Sequence, residues 1–125
     1  MAISRNSVRV KRVYEDAKAD DGYRVLVDRL WPRGVSRDEA AIDLWLKNVA
    51  PSTGLRRWFH ADRERWPEFR KRYKTELSTN PAFAELCSLV REHGGRGQYG
   101  VTLLYATRDP VHNHAVVLRD TVLDS

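Results

Sequence analysis

Hydrophobic and polar residues change rhythm several times along the chain, and each rhythm predicts an element. From Val8 to Tyr14 apolar and basic positions alternate, with Val8 and Val10 on one side and Arg9 and Lys11 on the other. That period of two is the mark of a strand with one buried face, to which Tyr14 could add. After the Asp21-Gly22 turn signal, a second strand runs from about Tyr23 to Asp28. Its Val25, Leu26 and Val27 are consecutive, so both of its faces need cover. A third run, Val101 to Ala106, follows Gly100 and is again dominated by apolar residues.

Between the second and third runs the spacing turns helical. Ser36 and Glu39 have capping-box spacing, which predicts a helix starting near Arg37. It would carry Ala40, Ile42, Leu44 and Trp45, then Leu46 to Val49, until Ala50-Pro51 stops it. Ser52 or Thr53 can cap a short helix through Leu55, Trp58 and Phe59. Asp62 or Arg63 leads into a longer one, with Trp66-Pro67 in its first turn and Trp66, Phe69, Tyr73 and Leu77 facing the core. Asn80-Pro81 is a cap followed by proline, so another helix covers about Pro81 to His93, buries Phe83, Leu86, Leu89 and Val90, and ends at Gly94-Gly95. Asp109-Pro110 repeats that signal ahead of a last stripe, Val111, Ala115, Leu118 and Val122. Strands alternating with helices predict an α/β fold: residues 1–125 as a single three-layer domain, with a small, mostly parallel sheet, right-handed crossovers and a helical segment inserted between the second and third strands.

Composition narrows the function classes. With 125 residues, 42% of them hydrophobic, the chain can build a core without metal or disulfides. The single Cys87 excludes an internal disulfide framework and a multi-cysteine zinc site, and it fits a reducing compartment. Cys87 lies beside an apolar stripe and reads as packing. Residues 1–10 show no leader, and no apolar run approaches the ~20 residues that span a bilayer. The expected setting is therefore cytoplasmic, with no membrane, metal or cofactor. Charge is uneven: residues 1–74 hold 18 lysines and arginines against 11 acids, and residues 75–125 hold 4 against 6. A basic half attracts phosphorylated ligands, nucleic acid or acidic partners, and it also suits a solvated helix face.

Two strand ends deliver the candidate chemistry. Asp28, Arg29, Trp31 and Arg33 follow the second strand, and Tyr105, Arg108, Asp109, His112 and His114 close or follow the third. In open α/β sheets, ligands bind outside the carboxyl ends of the strands. If these two strands are parallel neighbours, both sets share a rim where arginines can clamp a phosphate or carboxylate. Trp31 could stack on a ligand or simply pack. Asp28 and His112 are the candidates for proton transfer, and Arg29, Trp31, Arg33, Tyr105, Arg108, Asp109 and His114 for ligand binding. The opposing reading is an ion-pair lattice in which Asp28 holds an arginine and Asp109 only caps. His112 and His114 stand two apart and point to different faces of a helix, a poor chelate.

Leu26-Val27-Asp28-Arg29-Leu30-Trp31-Pro32-Arg33-Gly34, Asp43-Leu44-Trp45-Leu46-Lys47, Leu55-Arg56-Arg57-Trp58-Phe59-His60 and the segment from Leu103 to Ala115 together resemble the YeaO-like proteins. These belong to a larger group known as domain of unknown function 488. The resemblance implies a compact α/β domain without an assigned activity. Longer relatives carry a cysteine on the last strand and a Cys-His-Arg cluster at the next helix. Here Tyr105, Asn113, His114 and Ala115 occupy those positions, so the resemblance implies no thiol chemistry for this chain. Two functions stay open: binding of a small anionic or phosphate-bearing ligand at the strand ends, with or without catalysis, and a non-catalytic nucleic-acid or regulatory module using the basic helices of residues 56–74.

Overall fold

A computed structural model describes residues 7–94 and 99–125. Gly95, expected to close a helix, and the first six residues, read as carrying no leader, lie outside the described residues. The sheet has four strands, all parallel, in the order β1-β4-β2-β3, where β1 is Val8–Arg12, β2 is Tyr23–Leu26, β3 is Leu44–Trp45 and β4 is Val101–Tyr105. The central β4 pairs Val8 with Val101 on one side and Tyr23 with Val101 on the other. All five of its residues are buried, as a strand covered on both faces requires.

Alternation along the strands sorts side chains into two cores. Val8, Val25, Val27, Val101, Leu103 and Tyr105 enter the larger one, packed under four helices: α2 (Thr53–Ala61), α3 (Trp66–Leu77), α4 (Pro81–His93) and α5 (His114–Leu123). Leu26 and Leu104 point to the opposite face, where Val13, Trp31, Val35, Ile42 and Trp45 cover them. That second layer is thin, with one turn of helix, α1 (Arg37–Ala40). Tyr14, a candidate for the first strand's buried face, is exposed instead.

Helix boundaries follow local chemistry. The Ser36 hydroxyl accepts from the Glu39 amide, Ser52 from Leu55, and Asn80 from Ala82, each at an expected start. Two expectations need correction. The helix predicted across residues 37–49 stops at Ala40, because Ala41 turns left-handed (φ 48°). Beyond it the backbone joins the sheet, with the Asp43 amide on the Arg24 carbonyl and the Leu46 amide on the Leu26 carbonyl, both at 2.9 Å. Leu44 then faces the larger core and Trp45 the smaller, a period of two inside what reads as a helical run. With β3 in place, α2 to α4 lie between the third and fourth strands. The last helix also begins later than Asp109-Pro110 suggests. Asp109 instead ties a turn, accepting from the amides of Val111 and His112, and Asn113 is the true cap, accepting from Val116 at 3.1 Å. Val111 is accordingly exposed and not core.

Candidate functional site

Because β2 and β4 are parallel neighbours, the chain leaves both at the same edge of the sheet. A cavity of about 340 Å³ opens there, between the β2 end, the Ala50-Pro51 strap, α2 and the start of α5. Its wall brings together Asp28, Arg29, Arg56, His60, Arg63, His112 and His114.

Each polar group is held by a specific neighbour. Asp28 follows β2, and its Oδ2 accepts from the Ala106 amide just past β4 at 3.1 Å. His114, the first residue of α5, donates from Nε2 to the Val27 carbonyl at 3.0 Å and lies 3.2 Å from Asp28 Oδ1. Geometry favours the carbonyl, so Asp28 Oδ1 is buried without a hydrogen bond of its own. Arg29 reaches across to the carbonyls of Ala50 and Pro51, 3.3 Å from each. Arg63 donates to the His112 carbonyl at 3.2 Å and sits 3.6 Å from Asp109. Asp109 also holds His112 through Nδ1 at 3.0 Å. The amides of His112 and Val111 hold the Asp109 carboxyl down at about 2. Arg56 is different: among the described residues its guanidinium has no carboxylate or carbonyl partner, and its Nε is buried without one. Burial, then the charges of Arg63 and Arg56, push His60 below its ordinary value. The wall thus carries three guanidiniums against one carboxylate, and the positive end of the α5 dipole adds to the same potential.

Of the residues expected from sequence, Asp28, Arg29, His112 and His114 line the cavity, and Asp109 stands behind His112. The others do not meet them there. Trp31 is on the opposite face, edge-on to Trp45 at 5.5 Å, with its indole N–H on the Val35 carbonyl at 2.7 Å. Arg33 is exposed, its carbonyl accepting from Tyr14. Tyr105 is buried in the larger core, which raises its hydroxyl above the ordinary value. Arg108 faces water. The sequence reading missed Arg56, His60 and Arg63 as cavity residues and treated their region as a basic surface. A signal was present: with Phe59 they fall at i, i+3, i+4 and i+7, so charged groups share a stripe with a core residue.

A family model described as "Inactive DUF488-N3 subclade" matches residues 7–125. The chain belongs to this DUF488 subclade. An uncharacterized protein of Mycobacterium tuberculosis H37Rv is 47% identical over 116 residues, 93% of each chain. The uncharacterized protein YeaO of Escherichia coli K12 is 39% identical over 114 residues, 91% of this chain and 95% of that one. The YeaO-like resemblance therefore holds across nearly the whole chain. No solved structure matches the chain. Asn113 caps α5 and Tyr105 fills the core. Cys87, on α4, is buried with its sulfur 3.7 Å from the Ser125 hydroxyl. No helix among the described residues is long and apolar enough to cross a membrane.

Proposed function

We propose that this DUF488 protein binds a small anion, phosphate- or carboxylate-bearing, in the cavity at the carboxyl ends of β2 and β4, without transforming it. One observation carries the reading: Arg29, Arg56 and Arg63, from separate segments, converge on one cavity in which Asp28, flanked by His114, is the only carboxylate among the described residues lining it. Guanidiniums in a partly enclosed site attract anions strongly, because the low local dielectric weakens screening. Arg56 supplies the uncommitted charge, while Arg29 and Arg63 are positioned by the carbonyls they hold. The subclade's description as inactive agrees with binding rather than turnover. Asp28 and His112, the sequence's candidates for proton transfer, serve here as polar walls.

The nucleic-acid alternative draws on the basic surface of α2 and α3. Its aromatic residues are committed elsewhere: Phe59 is buried, and Trp58 and Trp66 pack against the larger core. Trp58 is further covered by Arg65 and Arg72, at 5.0 and 4.3 Å from its ring. Base stacking would have to displace these contacts.

Calorimetric titration with inorganic phosphate tests the proposal. The native chain should bind, Arg56→Ala should weaken binding about tenfold or more, and Arg57→Ala, exposed on the same helix, should leave it unchanged. An absence of binding to phosphate, sulfate and simple carboxylates, or an Arg56→Ala protein that binds as well as native, defeats the reading. Salt-sensitive binding of single-stranded DNA, lost on charge reversal at Arg70, Lys71 and Lys74, would point to the alternative.

A further inference from the structure

The cavity is not polar throughout. Between its charged groups the wall is made by Leu30, Ala50, Pro51, Phe59, Phe69 and Ala106. Phe59 and Phe69 stack at 4.5 Å, and the Arg63 guanidinium lies 5.2 Å from the Phe59 ring centre, so charge and apolar surface adjoin. At the lip, Leu30 is 67% exposed. A side chain of that type, a few residues past the buried Val25, Leu26 and Val27, gains nothing from water.

An inorganic ion would meet the guanidiniums and leave the exposed Leu30 in water. It would also leave most of the roughly 340 Å³ empty, since a five-atom ion fills only a small part of it. Cavities of this size and mixed lining suit organic ligands, in which a few polar groups fix orientation and apolar walls supply contact. Resting on the anion reading above, we infer that the ligand is an organic anion: its phosphate or carboxylate head meets Arg56 and its neighbours, and its apolar body covers Leu30 at the lip. The head supplies orientation and long-range attraction. The body supplies contact area, and Leu30 passes from water to cover when the ligand enters.

Calorimetry on the full chain separates the two ideas by pairing each head with and without a body: inorganic phosphate against phenyl phosphate, and acetate against benzoate, at matched pH and ionic strength. Phenyl phosphate or benzoate should bind at least tenfold tighter than its bare counterpart. Leu30→Ser, a surface change checked for folding by circular dichroism, should cut that ratio about threefold or more. Arg56→Ala should weaken every probe that binds. Equal affinities within each pair would overturn the organic-body inference and leave the anion reading standing. Failure of all four probes would remove the anion reading itself. A ratio untouched by Leu30→Ser would overturn the placement of the body at the lip.

Discussion

Asp109 shows how a residue's role depends on which of its atoms are occupied. One carboxylate oxygen takes the amides of Val111 and His112, and the other faces His112 Nδ1 and Arg63. Those amides stabilise the charged form first, and the carboxyl sits at about 2, below its ordinary 3.8. A depressed carboxylate contributes stability that is fully present above the unfolded value and is lost as pH falls through the folded one. The contribution of Asp109 should thus fade between about pH 4 and pH 2. Asp21 is lowered too: burial opposes its charge, but the Lys18 amide, Lys11 and Arg24 outweigh that. The Asp109→Asn protein should therefore show a shallower, not a flat, acid loss. Urea midpoints measured from pH 2 to pH 6 check this, and identical slopes in the two proteins would count against it.

At the scale of elements, what sequence showed and what it hid divide along one physical line. Signals that act within four residues were legible: the Ser52 and Asn80 caps, the proline opening α4, and the mostly apolar run of β4. Elements decided by distant partners were not. Leu44 and Trp45 fit a helical stripe in sequence, and only pairing with β2 and burial on two faces make them a strand. At the start of α5 two side chains compete to cap, and Asn113 prevails because Asp109 is spent on the preceding turn. The switch from α1 to β3 rests on Ala41, held left-handed at φ 48° and ψ 45°. That conformation costs a residue bearing Cβ roughly 1–2 kcal/mol. Ala41 is exposed, so glycine there loses no packing. Ala41→Gly should stabilise the protein by about 0.5–1 kcal/mol, after the greater freedom of glycine in the unfolded chain offsets part of the gain. A shift of the urea midpoint downward, as glycine inside a helix would cause, contradicts the boundary at this residue.

For the whole molecule, the meeting of Asp28 with His112 and His114 was readable because two parallel strands must release their chains at one edge. The third wall was not, since it depends on how the chain between β3 and β4 returns over the sheet. Tyr73 ties that wall to the core. It is fully buried on α3, its hydroxyl donates to the Val49 carbonyl at 2.6 Å, and burial keeps that hydroxyl protonated well beyond its usual range. The next two residues, Ala50 and Pro51, supply the carbonyls that hold Arg29 and form part of the cavity wall. One hydrogen bond thus links core packing to the placement of a guanidinium. Tyr73→Phe keeps the ring and strands the Val49 carbonyl, a loss of about 1–3 kcal/mol. Leu86→Ala, in the same core but away from the cavity, should cost about 2–5 kcal/mol through the space it opens. If the strap transmits the fault, phosphate affinity should fall several-fold in Tyr73→Phe and hold in Leu86→Ala, each measured where the variant is fully folded. Equal effects on affinity would mean that the cavity responds to overall stability and not to this bond.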